Sequence, residues 1–142
     1  MRSLERQYPH DFLFALEEAN LRKDAGEGMA GVEAYREVEA NMRRPGFYPS
    51  IKPELLNFGY GEALRGQRHY SEAAQAYEDA GNTPNIGPEL RIRTMLAAGQ
   101  CRDLTGERQA AIHDYNAAIA AGPNTNRADT ARKYLRNPYK GD

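Results

Sequence analysis

The residues that could do covalent chemistry are scattered along this 142-residue chain. A nucleophilic mechanism needs a serine, threonine or cysteine beside an activating base. Ser3, Ser50 and Ser71 fall in the terminal segment, in a loop and at a helix start, and none follows a strand in the sharp turn of a hydrolase nucleophile. Ser71 suits the N-cap of a helix that carries Glu72 in its first turn. We therefore expect no nucleophilic centre and predict that Ser71 caps a helix.

The histidines and the single cysteine do not form a metal-binding pattern. His10, His69 and His113 are predicted in a loop, in a turn between two helices and on a helix, and no two of them have the spacing of a shared helical face. Cys101 has no second cysteine with which to form a disulfide. We expect Cys101 to be a small buried hydrophobe, and we expect neither a metal site nor a cofactor.

A glycine-rich stretch, GYGEALRG at 59–66, has the composition of a phosphate-binding loop. Such loops follow a strand and are themselves followed by Lys and then Ser or Thr, and this stretch has neither feature. It lies within a helical pattern, so its glycines are better explained by close packing between helices. Because no acid–base, nucleophile or metal constellation is present, the sequence predicts that this chain is not an enzyme.

The elements that carry these residues are all predicted to be helices. Apolar residues recur at helical spacing, and no run shows the two-residue alternation of a strand. The predicted helices cover 11–26, 29–42, 53–66, 70–81, 88–104, 107–121 and 126–136. Two of them open with the same Pro-Glu-Leu, at 53–55 and at 88–90. Proline loses no hydrogen bond in the first turn, and an acidic residue suits a helix N-terminus.

A set of small and aromatic residues repeats along the chain. With a shift of 38 residues, Gly61, Ala73, Tyr77 and Ala80 recur as Gly99, Ala111, Tyr115 and Ala118. A degenerate third copy lies upstream at Ala19, Gly31, Tyr35 and Val38. Small residues at these intervals let two antiparallel helices approach closely, and the tyrosine fills the groove beside them. The spacing therefore predicts paired helices, with a packing role for each repeated residue.

These residues resemble the signature of the tetratricopeptide repeat family, in which Leu-Gly on one helix is followed by alanine, an aromatic residue and alanine on the next. The likeness is strongest in the unit from 88 to 123. The copies here are 38 and 42 residues apart, whereas the family's period is about 34, and the additional residues fall in the loops between helix pairs. No tryptophan is present; Glu18, Tyr60 and Ala98 stand where leucine is usual, and Arg22, Leu64 and Arg102 where tyrosine is usual.

The resemblance implies an all-α fold in which antiparallel helix pairs stack as a short right-handed α-solenoid. A single domain spanning 1–142 would contain units at 11–44, 53–84 and 88–123, and a capping helix at 126–136 would close the stack. An unrelated stack of helical hairpins is the alternative fold.

In that family the first helix of each pair lines an inner surface on which partners bind. We therefore expect a protein–protein interaction module or scaffold that binds a partner protein, a peptide or a second copy of itself, with no small-molecule substrate. The partner-binding side chains that the resemblance implies are Leu16, Asn20, Lys23, Phe58, Glu62, Arg65, Arg93, Leu96, Gln100 and Asp103. The clamp of lysines and asparagines that some members use for a partner's C-terminal carboxylate is absent, since its places hold Leu16, Phe58, Glu62 and Arg93.

The charge pattern leaves one further alternative at the C-terminal end. The net charge is −1, so no overall field attracts nucleic acid. The stretch 127–140, however, carries five cations with Tyr134 and Tyr139 between them. Contact with RNA or with an acidic protein is one interpretation. We favour a solvated capping helix.

No apolar stretch reaches the roughly 20 residues that cross a bilayer, and the first residues lack the apolar core of a signal peptide. A cytoplasmic location is therefore favoured for the chain as given. Residues 1–9 have the pattern of a helix end closed by Pro9, which predicts that the chain is cut from a longer protein. An accessory C-terminal segment of a larger enzyme or of a membrane-bound regulator is the alternative function.

Overall fold

The structure, a computed structural model, describes residues 32–33, 36–37 and 52–141. Its helices over residues 52–141 are α1 (Pro53–Gly66), α2 (Tyr70–Gly81), α3 (Pro88–Leu104), α4 (Arg108–Ala121) and α5 (Asn126–Arg136). The described residues contain no strand, so the predicted all-helical class is confirmed for this part of the chain. None of these helices is both long enough and apolar enough to cross a membrane. Apart from the four upstream residues, the predicted unit at 11–44 lies outside the described residues.

The observed helix boundaries agree with the predicted ones. The helices α1, α2, α3 and α5 begin and end at the predicted residues, and α4 begins at Arg108 with Glu107 as its N-cap. Both α1 and α3 have a proline at the start, where the missing N–H is not needed for the helix. An acidic residue follows in the first turn of each, next to the positive end of the helix dipole.

The prediction that Ser71 caps α2 is wrong. The N–H of Ala73 donates to the carbonyl oxygen of His69 over 2.9 Å, so the helical hydrogen bonds already begin at His69. His69 is therefore the N-cap residue, and its side chain makes no capping hydrogen bond. Ser71 is exposed inside the first turn of α2, which is too far along the helix for an N-cap.

Short turns connect the two helices of each pair. Residues 67–69 join α1 to α2, and residues 105–107 join α3 to α4. Because three residues can do little more than reverse the chain, the paired helices run antiparallel. Each turn has one residue in the left-handed backbone region, Arg68 with φ of 61° and Gly106 with φ of 77°. These residues are 38 positions apart, so the turns repeat together with the helices.

The helices pack in chain order from α1 to α5, and α3 also contacts α5. Buried apolar residues form two clusters in the described part of the chain. The first contains Leu64 of α1, Tyr77 of α2 and Cys101 of α3. The second contains Met95 of α3 and Tyr115 of α4. The helix α3 therefore contributes one side to each cluster.

The repeated glycines and tyrosines contact each other, as their spacing predicts. A Cβ atom at Gly61 would lie 2.9 Å from the ring of Tyr77, and one at Gly99 would lie 2.5 Å from the ring of Tyr115. Both positions need glycine because a larger residue would overlap the ring. The repeated alanines have an exposed fraction of 0% at Ala73, Ala80, Ala111 and Ala118. The predicted packing role is confirmed for the two repeats that the structure describes.

Candidate partner-binding face

The described side chains of the predicted binding surface lie on α1 and α3, the first helices of the two pairs. We call the surface formed by Phe58, Glu62, Arg65, Arg93, Leu96, Gln100 and Asp103 the α1/α3 face. The three predicted residues of the first unit, Leu16, Asn20 and Lys23, lie outside the described residues. A role of the α1/α3 face in partner binding stays a prediction, and its geometry defines what it could bind.

Two side-chain contacts join α1 to α3 across this face. The guanidinium of Arg93 lies over the ring of Phe58, 5.2 Å from the ring centroid, in a cation–π contact. The Nη1 atom of Arg65 donates to Oε1 of Gln100 over 2.9 Å. The two contacts are two helical turns apart, so the face has two ends separated by about 10 Å.

The Phe58–Arg93 end of the face is open to solvent. Arg93 is exposed, and Phe58 is half-buried against Tyr77, with 6.0 Å between the ring centroids. Leu55, one turn before Phe58, is 45% exposed and is the one exposed large hydrophobic side chain in the described part of the chain. Leu96 is half-buried against the second apolar cluster. Apolar surface beside an exposed cation suits a ligand with apolar and acidic side chains.

Glu62, between the two ends, is held by the protein itself. The hydroxyl of Tyr77 donates to Oε1 of Glu62 over 2.7 Å. Burial of Tyr77, together with the neighbouring carboxylate, raises the pKa of its hydroxyl above the ordinary value. The hydroxyl therefore stays protonated and keeps donating, which orients Glu62. The Glu62 carboxylate adds a negative charge to the middle of the face and would repel an acidic group placed there.

Asp103, at the Arg65–Gln100 end, has a side chain that is only 1% exposed. The guanidinium of Arg108 donates to both carboxylate oxygens over 3.0 Å. The hydroxyl of Tyr115 donates to Oδ2 over 2.7 Å, and the backbone N–H of Tyr139 donates to the same oxygen over 2.9 Å. A partner can therefore reach this carboxylate only by replacing one of these donors.

Residues 137–141, which we call the 137–141 segment, turn back from α5 onto the Arg65–Gln100 end of the face. Asn137 leaves the helix in an extended conformation, with φ −136° and ψ 122°, as a following proline favours. Tyr139, directly after Pro138, is only 5% exposed. The segment therefore leaves the helix in an extended conformation at Asn137 and places one side chain, that of Tyr139, in the interior.

Tyr139 occupies a pocket between α1, α3 and α5, which we call the Tyr139 subsite. The hydrogen bond to Asp103 holds its main chain, and Nη2 of Arg65 donates to its hydroxyl over 3.2 Å. Its ring packs edge-on against Tyr134, with 5.1 Å between the centroids, and the Arg65 guanidinium lies 5.7 Å from the Tyr139 centroid. The subsite thus recognises three features of one residue, namely a backbone N–H, an aromatic ring and a hydroxyl.

Cys101, His69 and His113 are the described members of the cysteine and histidine set. Cys101 is fully buried, and burial raises the pKa of its thiol to about 11, so the reactive thiolate is disfavoured. The prediction of a small buried hydrophobe is confirmed. His69 lies in the turn before α2 and His113 is exposed on α4, as predicted, while His10 lies outside the described residues.

A buried ionic cluster, which the sequence did not predict, joins α2, α3 and α4. Arg102 donates through Nε and Nη2 to the two carboxylate oxygens of Glu78. The side chains of Arg102 and Glu78 are 12% and 16% exposed. Asp114 lies beside this pair with a side chain that is 3% exposed, and its Oδ2 atom has no hydrogen-bond partner. Arg102 also donates through Nη1 to the carboxylate of Glu107, which is 44% exposed. The Glu78 and Asp114 carboxyl groups therefore lie beside one guanidinium in the interior.

The two carboxyl groups of this cluster differ in protonation. Burial raises the pKa of Asp114 to about 9, and its hydrogen bond to Glu78 and the charge of Glu78 act in the same direction. Burial also opposes the charge of Glu78, but hydrogen bonds from Arg102 and Asp114 outweigh burial and lower the pKa of Glu78. At neutral pH Asp114 is therefore protonated and donates to the Glu78 carboxylate, which is paired with Arg102.

Asp114→Asn is expected to remove a pH dependence of stability. The pKa of Asp114 rises from 3.8 to about 9 in the folded protein, so the bound proton favours folding. The stabilisation that this proton gives to the folded protein is complete below about pH 4 and is lost as the pH rises towards about 9. Asparagine donates a similar hydrogen bond at every pH, so the variant should show a flatter decline in the free energy of unfolding. Urea unfolding of both proteins at about pH 5, 7 and 9 measures the two slopes.

Asp129→Asn is the matched control for this measurement. The Asp129 side chain is 72% exposed and is paired with Arg132 over 2.9 Å on the surface of α5. Its substitution should leave the slope between pH 5 and 9 as in the wild type. An Asp114→Asn protein with the wild-type slope would mean that Asp114 is ionised in the folded protein.

Comparison of the chain with protein-family models, with curated proteins and with solved structures gave no match. The geometry of residues 52–141 is therefore the basis for a functional assignment. The residues of the face were predicted from the sequence, but the Tyr139 subsite was not. In the sequence, Tyr134 and Tyr139 stand among the cations of a basic tail, and this pattern gives no indication that they are buried. One feature of the sequence does indicate the subsite. Pro138 follows the last helical residue by two positions, and a proline there favours a change of chain direction just before Tyr139.

Proposed function

We propose that this chain is a tetratricopeptide-type repeat module that binds a partner protein through an extended segment laid on the α1/α3 face. Three helix pairs, at 11–44, 53–84 and 88–123, would stack as a short right-handed solenoid with α5 as the cap. The module supplies a surface that holds the partner in place and catalyses no reaction.

The observation that supports this proposal is the 137–141 segment. A non-helical stretch of polypeptide already lies on the α1/α3 face, with one backbone N–H bonded to Asp103 and with Tyr139 only 5% exposed. The face therefore has hydrogen-bonding groups that bind the backbone and side chain of a non-helical segment. A partner segment of the same conformation would use the same kinds of contact.

The open end of the face would supply the binding energy. Phe58 and Leu55 offer apolar surface, and Arg93 offers a planar cation that is already oriented by its contact with the Phe58 ring. Aromatic and arginine side chains dominate the energetics of many interfaces, with about 2 kcal/mol or more lost on removal of a central one. The charge of Glu62 between Arg93 and Arg65 would restrict where an acidic partner side chain can sit.

Nucleic-acid binding by the basic tail has less support. Single-stranded nucleic acids bind to cationic grooves of proteins, in which exposed aromatic rings stack on the bases. Tyr139 is buried, and Tyr134 packs against both Tyr139 and Tyr115. Lys133 lies 5.5 Å from the Tyr134 ring and covers it further. The rings of the tail therefore serve the packing of the protein.

Partner capture with a face variant tests the proposal. The full chain and a Phe58→Ala, Arg93→Glu variant would each be used to capture proteins from an extract of the source, and the captured partner would then be titrated against both. We expect the variant to bind at least about tenfold more weakly, because it loses an apolar anchor and reverses a charge at the open end. Circular dichroism and thermal unfolding establish that the variant is folded.

Arg127→Glu is the matched charge-reversal control, because Arg127 is exposed on α5 and is not one of the residues that form the α1/α3 face. This control should bind the partner as the wild type does. Equal binding by the folded Phe58→Ala, Arg93→Glu variant, or the capture of no partner by the wild type, would contradict the proposal.

A further inference from the structure

We infer that a cavity at one edge of the helix stack binds a small zwitterion with an apolar side chain, namely an apolar amino acid or a dipeptide. The cavity, which we call the Ile92 cavity, lies where α3 begins, α4 ends and α5 begins. Its volume is about 470 Å³, which falls within the roughly 300–1,000 Å³ of small-ligand sites. None of its lining residues belongs to the α1/α3 face, so this inference goes beyond the proposed function and does not depend on it.

The floor of the Ile92 cavity is apolar. Ile92 is only 5% exposed, and Pro88 lies one turn before it on α3. Ala121 and Gly122, at the end of α4, complete the apolar lining. A Cβ atom at Gly122 would overlap Cδ1 of Ile92, so the end of α4 lies directly against this isoleucine. An aliphatic or aromatic side chain of a ligand would be removed from water on this floor, which favours binding.

Thr125, the N-cap residue of α5, also lines the cavity but has no hydrogen bond to spare for a ligand. Its hydroxyl donates to the carbonyl oxygen of Gly122 over 2.7 Å and accepts from the N–H of Ala128 over 3.1 Å. Its Cγ2 atom lies close to Gly122 and adds to the apolar surface. Recognition of the polar groups of a ligand therefore falls to the two charged side chains of the lining.

Glu89 and Arg127 are these two charged side chains, and both are exposed. They form no ion pair with each other, and neither side chain makes a hydrogen bond or ion pair elsewhere in the part of the chain that the structure describes. A ligand with one ammonium and one carboxylate group would complement both charges at once. Glu89 would accept from the ammonium, and Arg127 would donate two parallel hydrogen bonds to the carboxylate.

The helix ends at the cavity favour this orientation of the ligand. Glu89 lies in the first turn of α3, where the positive end of the helix dipole suits its negative charge. Arg127 lies in the first turn of α5, and the side-chain cap of that helix satisfies the N–H of Ala128. The earlier N–H groups of the turn, at Asn126 and Arg127, have no partner within the helix. They add to the attraction of a carboxylate placed beside Arg127.

The opposite charges of Glu89 and Arg127 disfavour ligands that carry a single charge. A fatty acid would bring its carboxylate towards Glu89 without a cation to offset it, and an alkyl amine would do the same at Arg127. An amino acid and a dipeptide both carry the two charges and differ in the distance between them. Their shared chemistry is a free ammonium, a free carboxylate and an apolar side chain.

Titration of the full chain with four small molecules tests the inference. Leucine and leucyl-leucine carry both charges, whereas N-acetyl-leucine lacks the ammonium and leucinamide lacks the carboxylate. NMR spectra of isotope-labelled protein would report binding at the backbone amides of Ile92 and Ala121. We expect leucine or leucyl-leucine to bind with a dissociation constant below about 1 mM. Both blocked molecules should bind at least about tenfold more weakly, because each leaves one charge of the lining without its partner.

The comparison of leucine with leucyl-leucine identifies the source of the ligand. Tighter binding of leucine would assign the cavity to free amino acids, and tighter binding of leucyl-leucine would assign it to dipeptides. Either result supports the inference. Equal affinity for the zwitterions and the blocked molecules, or no shift at Ile92 and Ala121 with any of the four, would overturn it.

Neutral variants of the two charged residues provide a second test. Glu89→Gln and Arg127→Gln should each weaken binding of the preferred zwitterion about tenfold. The matched controls are Glu54→Gln, at the same position of the Pro-Glu-Leu that begins α1, and Arg136→Gln, in the last turn of α5. Both controls should bind as the wild type does. Unchanged affinity in folded Glu89→Gln and Arg127→Gln proteins would also contradict the inference, and it would leave the proposed function to its own capture experiment.

Discussion

Tyr115→Ala should lower the free energy of unfolding by about 3–5 kcal/mol. Tyr115 is fully buried, and its ring fills the space that Gly99 leaves open between α3 and α4. Alanine would leave a cavity at this contact. It would also remove the hydroxyl that donates to Asp103 over 2.7 Å, so that a buried carboxylate loses one of its donors. Urea unfolding followed by circular dichroism measures the change.

Tyr115→Phe separates the two parts of this effect. It keeps the ring and removes only the hydrogen bond to the charged Asp103, so we expect a cost of about 1.5–3 kcal/mol. The difference between the two variants then measures the packing of the ring against Gly99. A Tyr115→Ala protein within about 1 kcal/mol of the wild type would show that the ring does not fill the contact between α3 and α4.

Arg102→Met should also cost about 3–5 kcal/mol, because it leaves Glu78 charged and buried without its cation. The Glu78 side chain is 16% exposed, and Arg102 donates to both of its carboxylate oxygens. Methionine matches the length of the arginine stem but offers no hydrogen bond. The free energy of unfolding at neutral pH, from urea titration, measures the loss.

The double variant Arg102→Met, Glu78→Leu should regain part of this stability, although the buried Asp114 loses the Glu78 carboxylate beside it. It removes both charges, and an apolar pair of similar volume is often no worse than a buried ion pair. On the surface of α5, Arg132→Met breaks the exposed pair with Asp129 and should cost less than about 1 kcal/mol. Additive losses in the double variant would mean that Arg102 and Glu78 do not act as a pair.

The helix pairs could be predicted because their signals are local. A proline in the first helical turn marks the starts of α1 and α3 at Pro53 and Pro88. The contact between a glycine on one helix and a tyrosine on the next requires a constant interval in the chain. The interval from Gly61 to Tyr77 is therefore the same as that from Gly99 to Tyr115.

The ionic cluster could not be predicted because it departs from the repeat. Arg102 and Asp114 stand 38 residues after Leu64 and Ala76, which are both buried and apolar. The repeat therefore predicts apolar contacts at these positions. The packing of α2 against α3 is needed to show that Glu78 supplies the negative charge that pairs with Arg102.

The candidate site could be predicted only in part. The helical period places Phe58 and Arg65 on one side of α1 and Arg93 and Gln100 on one side of α3, and the structure joins them by the two contacts across the face. The path of the chain after α5 has no comparable period. A non-helical segment is positioned by its tertiary contacts, so the burial of Tyr139 could not be derived from residue spacing.

The position of α3 between the two apolar clusters determines how residues 52–141 would melt. Cys101 belongs to the first cluster and Met95 to the second, so the loss of either helix pair would expose one side of α3 to water. Neither pair can lose its structure while the other keeps its full stability. In repeat proteins such nearest-neighbour coupling makes separate units behave as one thermodynamic system. The two helix pairs, although they are separate copies of one repeat, are thus expected to unfold in a single cooperative transition on heating.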